Sequence, residues 1–181
     1  MSESRWAVLI RGINVGGNNL VPMPALREAL TAAEASAVGT YIQSGNVVLT
    51  APGEHHDIDA LVEGVLAQSF GVNTFVLSLN AAQLDGVVAN APALFTDASE
   101  ANKCDVVFLK DGLESEELLP RIKVRDGVDQ AWAGPGCLYF SRRTQALTQS
   151  HLKLIMTMPE YSRMTIRTWR TVLAVQALLK G

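Results

Sequence analysis

Twice along the chain the same order of signals recurs: an apolar run, a helical stripe, two β-rich runs joined by a tight turn, a second helical stripe and a further strand. This order constrains the fold more than any single motif. A β-α-β-β-α-β unit is the split-βαβ, ferredoxin-like arrangement, whose sheet order is 4-1-3-2 with antiparallel neighbours. The duplication is read from element order, not from residue identity between the halves.

In the first half, residues 6–10 form an apolar strand between Arg5 and Arg11, and a glycine-rich loop follows over 12–19. Proline is tolerated in a first helical turn, so Pro22 and Pro24 place a helix start there, with Leu26, Ala29, Leu30 and Ala33 inward. Residues 38–43 and 46–50 read as a hairpin turning at Ser44-Gly45. Asp57 is expected to cap a helix with the stripe Ile58, Leu61, Val62, Val65 and Leu66, stopped by Gly71. Residues 73–79 are a strand, and Asn80 with Gln83 forms a capping-box pair for the next helix.

In the second half, residues 104–110 read as a strand and 115–122 as a helix. A hairpin is expected over 127–133 and 137–141 around Gly134-Pro135-Gly136, then a helix over 149–158 and a strand over 164–166. A terminal helix over 168–179 carries the stripe Val172, Val175, Leu178 and Leu179. The expected class is α+β: two ferredoxin-like halves with mainly antiparallel sheets, 1–90 and 103–181, the second packed on the first, joined by a connector over 90–103.

Composition narrows the function. Apolar residues make up 48% of the chain and aromatics 6%, so the core is aliphatic. A net charge of −3 lacks the basic surplus of a protein that grips nucleic acid by counterion release. An RNA-recognition domain shares the element order but stacks bases on exposed aromatics of its central strands. Here those strands offer Trp6 and otherwise aliphatic residues, which disfavours an RNA or single-stranded DNA module. Cys104 and Cys137, without a CxxC spacing, read as small buried hydrophobes in a reducing compartment. The first residues lack a basic segment followed by an apolar run, and no stretch is apolar enough to span a bilayer. The expectation is a soluble, cytoplasmic protein with no membrane contact.

The loop from Gly12 to Gly17 satisfies the glycine spacing of a P-loop, but Asn18 and Asn19 stand where Lys and Ser/Thr must follow. Nucleoside-triphosphate hydrolysis is therefore not expected, and G-x-G-x-x-G is absent. The 4-1-3-2 order nevertheless sets the end of the first strand beside the start of the third, with the first helix beginning at the same edge. That edge gathers Arg11, Gly12, Asn14, Gly16, Gly17, Asn18, Asn19, Ser44 and Asn46. Free helix N–H groups and arginine there suit an anion. Glycine and asparagine also supply positive φ in tight turns, and a purely structural role stays open. Arg167 and Arg170 lie three apart and would share a helix face if Arg167 joined the first turn; Arg163 also flanks the final helix, and Arg142 and Arg143 follow a strand. Cations oppose the dipole at a helix start, which points to a contact, although salt bridges to acids such as Glu160 compete with that reading. Trp169 reads as core. His55-His56-Asp57 is a poor metal trio in an extended loop, and His151 has no evident catalytic partner. Neither a metal nor a cofactor is expected.

The runs Arg11-Gly12-Ile13-Asn14-Val15-Gly16-Gly17, Val21-Pro22-Met23, Tyr41-Ile42-Gln43-Ser44-Gly45-Asn46-Val47 and Thr165-Ile166-Arg167-Thr168-Trp169-Arg170-Thr171-Val172 resemble one bacterial family, the one catalogued as domain of unknown function 1697. The resemblance implies two related α+β halves and carries no activity or catalytic residue with it. Residues 90–130 hold none of its motifs. The working expectation is a binder of a small phosphate- or carboxylate-bearing ligand at the glycine-rich loop, with Arg167 and Arg170. The alternative is an interaction or assembly module without catalysis, with a second copy of the chain as a partner. The residues leave open whether the protein is an enzyme.

Overall fold

The structure is a computed structural model that describes residues 3–97 and 100–181. Ala98 and Ser99, inside the expected connector, and Met1 and Ser2 of the N-terminal segment lie outside the described residues. Contacts divide the chain into two compact units, residues 1–85 with 173–181, and residues 86–172. The last residues, expected in the second half, thus group with the first. No described helix is long and apolar enough to cross a membrane.

In the first unit, strands β1 (Glu3–Ile10), β2 (Ser36–Tyr41), β3 (Asn46–Pro52) and β4 (Val76–Asn80) form a sheet in the order β2-β3-β1-β4, each pairing antiparallel. Read from the β4 edge this is the 4-1-3-2 order. Helices α1 (Met23–Ala32) and α2 (His55–Phe70) cover one face. Trp6, Val8 and Ile10 of β1 and Val47 and Leu49 of β3 meet Leu26 and Leu30 of α1 and Ile58, Val62 and Leu66 of α2. Two carboxylates of α2 also cover the β4 edge: Asp59 Oδ1 accepts the Ser78 N–H (2.8 Å) and Glu63 Oε1 the Val76 N–H (2.9 Å). Edge donors that would otherwise recruit another strand are satisfied in this way.

Asp57 caps α2 from a different position than expected. Glu54 is the N-cap, and Asp57, three residues on, accepts the Glu54 N–H (2.8 Å) in a capping box. His55 and His56 therefore stand in the first helical turn, with ring centroids 3.8 Å apart, not in an extended loop. Helix α3 (Ala81–Ala89) begins with the expected reciprocal pair, Asn80 N to Gln83 Oε1 and Gln83 N to Asn80 Oδ1, both 2.9 Å.

The second unit has the same strand order and different coverage. After the short helix α4 (Ala93–Thr96), strands β5 (Asn102–Leu109), β6 (Asp129–Gly134), β7 (Cys137–Arg143) and β8 (Met164–Thr168) pair antiparallel as β6-β7-β5-β8. The helix expected over 115–122 shrinks to α5 (Ser115–Leu118) and a 3-10 turn at Leu119–Arg121, where Pro120 has no N–H to continue the ladder. No α-helix forms over 149–158. Three 3-10 segments, Thr144–Gln149, Leu152–Thr157 and Pro159–Arg163, stand there instead, because Ser150 and Met158 are extended and Met158 precedes Pro159. Their apolar residues still close the core: Ile155 packs with Val107, Leu109, Leu138, Phe140 and Met164. Helix α6 (Trp169–Lys180) ends the chain, with Val172, Val175 and Leu179 buried and Leu178 on its exposed side.

Candidate functional site

The glycine-rich loop and the β2–β3 turn meet at one sheet edge, as the strand order requires. The Ile10 N–H donates to Gly45 O (2.8 Å), and Asn14 Nδ2 donates to Gln43 O (2.8 Å) and to Val21 O (2.9 Å). Asn14 Oδ1 accepts the Val21 N–H (2.8 Å). Asn19 Nδ2 donates to Gly12 O (3.0 Å), and the buried Asn46 donates to Tyr41 O (3.2 Å) and Ser44 Oγ (3.1 Å). The Asn14, Asn19 and Asn46 carboxamides thus hold the chain's own backbone in place. Gly16 and Gly17, both at positive φ, close a two-residue turn bridged between Val15 and Asn18. Gly45, at φ +79°, leaves no room for a side chain, since a Cβ would stand 2.7 Å from Ile10 O.

The other expected donors are placed less favourably for an anion. Pro22 and Pro24 lack N–H groups, so the start of α1 offers only the Met23 and Ala25 amides beyond those already bonded. The Arg11 guanidinium lies over the Phe75 ring, 5.8 Å from its centroid. The loop and the β2–β3 turn expose the apolar Val15, Leu20 and Ile42, at 62%, 68% and 54%, beside the exposed Asn18, Asn19 and Gln43. Ile42 sits at φ +48°, a conformation that costs a β-branched residue on the order of 1–2 kcal/mol.

The arginine set is dispersed within the second unit. Arg167 belongs to β8 and not to the helix, so it shares no helix face with Arg170. It is buried and donates to Thr165 Oγ1 (2.8 Å) and Ile166 O (2.9 Å), and burial draws its pKa down to about 10. Arg163 donates to Asp111 O. Glu160 pairs with Arg121, at 2.6 and 3.0 Å. Trp169 packs edge-to-face on Phe95, ring centroids 5.2 Å apart.

Arg170, the second residue of α6, has a different setting. The β5–β8 pairing begins at Asp105 opposite Thr168, so β5 overhangs its neighbour by Asn102, Lys103 and Cys104. A cleft of about 920 Å³ opens at this overhang, walled by Phe95, Lys103, Asp105, Thr168, Trp169 and Arg170 among others. At its floor Arg142 clamps the buried Asp105, with Nη2 and Nε at 2.6 and 3.1 Å from Oδ2. Burial raises the Asp105 pKa, and the Arg142 charge opposes that rise. Neither Lys103 nor Arg170 forms an ion pair with a described residue. A second cleft of about 740 Å³ adjoins the first, sharing Leu94, Glu100, Asn102 and Thr144, and continues over Asp126, Gln130, Ser141, Arg143 and Gln145. The cysteines offer little reactivity: burial pushes Cys137 up to about 12 and raises half-buried Cys104.

The profile of the family described as Protein of unknown function (DUF1697) matches residues 4–139. The chain belongs to this family. A conserved bacterial protein from Streptococcus pneumoniae has a similar solved structure, 24% identical, with a TM-score of 0.84 over 98% of this chain and 99% of that one. At that identity the likeness shows the fold. No curated protein matches. In this DUF1697 member the glycine-rich loop and the β2–β3 turn fall within the matched residues, while Arg142, Thr168 and Arg170 lie beyond them. Sequence reasoning reached Arg170 but missed Asn102, Lys103 and Asp105. The available signal was the polar pair Asn102-Lys103 at the start of a strand that is apolar from Val106 onward, opposite the Arg142-Arg143 end of its neighbour β7.

Proposed function

We propose that this protein binds a small anionic ligand, with the anion seated in the cleft at the β5 overhang between Lys103 and Arg170. One observation carries this reading: two exposed cations without an ion-pair partner among the described residues wall the same cleft, one of them in the first turn of a helix. A cation there opposes the helix dipole by a few tenths of a kcal/mol to about 1 kcal/mol. A bound phosphate or carboxylate reverses that sign, because it is attracted by both side chains and by the positive end of α6. Trp169 and Phe95 supply an apolar wall beside the two cations. The glycine-rich set, Arg11, Gly12, Asn14, Gly16, Gly17, Asn18, Asn19, Ser44 and Asn46, serves in this reading as a rigid corner. Arg167 supports β8 from within.

The test is a thermal-shift titration of the wild type, Arg170→Ala and Arg11→Ala with inorganic phosphate, sulfate, nucleotides, sugar phosphates and carboxylic acids. A ligand at about 100 times its Kd adds roughly 2.7 kcal/mol, a rise of about 5–10 °C for a chain of this size. The expected result is a rise that disappears in Arg170→Ala and survives in Arg11→Ala. The opposite pattern would move the site to the glycine-rich loop, and no rise with any anion would remove the anion reading.

A second reading, an interaction module without catalysis, is favoured by the outward Val15, Leu20 and Ile42 around the loop. Sedimentation at increasing concentration checks it for a second copy of the chain. A mass that grows in the wild type but not in Ile42→Ser supports it, and a constant monomer mass removes it.

A further inference from the structure

The second cleft differs in chemistry from the first, although they share a wall. Strand register builds it: Asn102 stands opposite Arg143, and Gln130 opposite Ser141, so all four lie on one face of three adjacent strands. Two strand spacings and a two-residue register offset separate Asn102 from Gln130, roughly 12 Å. No side-chain hydrogen bond to a described residue holds the carboxamides of Asn102, Gln130 or Gln145. Each offers donors and an acceptor side by side. The exposed carboxylates of Glu100 and Asp126, also in the wall, only accept.

Donors and acceptors side by side suit a body rich in hydroxyl groups, since every hydroxyl both gives and takes a hydrogen bond. Asp126 lines only this cleft and accepts hydroxyl protons there, whereas Glu100 lines both clefts, so the charged group is placed by Lys103 and Arg170 themselves and not by repulsion from this end. Asn102 lines both clefts and therefore stands where the charged and hydroxylated parts of one ligand would join.

We propose that the two clefts form one site for a phosphorylated polyhydroxyl compound, of the sugar-phosphate class. The phosphate lies at the β5 overhang and the hydroxyl-bearing chain runs over Asn102, Gln130 and Gln145. This inference rests on the anion-binding reading above and adds the ligand's body to it.

Calorimetric titration of the full chain tests it with inorganic phosphate, glycerol 3-phosphate, ribose 5-phosphate, glucose 6-phosphate and glucose as probes. The expected result is that at least one sugar phosphate binds tenfold or more tighter than inorganic phosphate, while glucose alone binds weakly or not at all. Gln130→Ala and Gln145→Ala should remove most of that gain and leave phosphate binding unchanged, whereas Arg170→Ala should weaken both. Circular dichroism of each variant separates lost binding from lost fold. Inorganic phosphate binding as tightly as every sugar phosphate would overturn this inference and leave the anion site standing. Failure of all phosphates to bind would overturn both.

Discussion

The glycine-rich corner of the first unit and the overhang cleft of the second both concentrate polar residues at the end of a four-stranded sheet, yet they use them in opposite ways. At the corner, Asn14, Asn19 and Asn46 turn inward and bond backbone carbonyls, one of them across to the neighbouring turn. In the cleft, Lys103, Arg170, Asn102 and Gln130 make no side-chain hydrogen bond or close ion pair with a described residue, and Lys103 acts on Asp105 only through its charge. A polar group already bonded to its own chain stabilises a shape. One left unbonded in a concave wall is available to something else. Local richness in Gly, Asn and Arg does not separate the two cases; the hydrogen-bond inventory does.

Substitutions can break that contrast, and the corner should give the largest response. Gly45→Ala places a Cβ 2.7 Å from a backbone oxygen at φ +79°, so a loss of about 3–4 kcal/mol is expected in urea unfolding. Gly16→Ala, also at positive φ but with nothing within 4 Å, should lose only about 1–2 kcal/mol. Equal losses would mean that close approach does not distinguish the two glycines. Asn14→Ala comes next: it removes three hydrogen bonds and puts alanine at φ +54°, for an expected cost of about 2–3 kcal/mol. Arg170→Ala should stay within about 0.5 kcal/mol of wild type, or gain slightly as the opposed dipole is relieved. A destabilisation of Arg170→Ala to match Asn14→Ala would make that arginine structural and erase the difference between the two regions.

Much of the strand frame was legible in the sequence, because β1, β3, β5 and β7 are apolar runs bounded by turn residues and their order dictates the sheet. The terminal helix was legible too, whereas the helix expected over 115–122 forms only over its first turn and the one over 149–158 does not form. The span 149–158 reads as a helix, but Ser150 and the residue before Pro159 interrupt it with extended backbone. The corner residues were identified, and their convergence followed from topology. That Asn14 spends its carboxamide on Val21 and Gln43 depends on distances fixed only after folding. The cleft was half legible: Arg170 stood out as a cation at a helix start. Asn102-Lys103 offered only a polar pair at a strand start and Gln130 carried no local signal, since their association comes from strand register and from β8 ending short of β5.

The smallest effect concerns the cleft floor, where the Asp105–Arg142 pair has the appearance of a stabilising salt bridge. Desolvation is the leading influence on Asp105 and raises its pKa despite the adjoining guanidinium. The sign follows from linkage. A carboxyl whose folded pKa exceeds its unfolded value binds its proton more tightly in the folded state, so wild-type stability from this group is full below the unfolded pKa and is lost as pH rises through the raised one. Asp105→Asn lacks that titration. Unfolding of both proteins in denaturant at pH 4 and pH 7 should therefore show the stability of Asp105→Asn improving relative to wild type at the higher pH. If wild type instead gains on the variant as pH rises, the ion pair outweighs its desolvation. Arg142 would then be held in place by a net attraction, and the floor of the cleft would share the self-satisfied character of the glycine-rich corner.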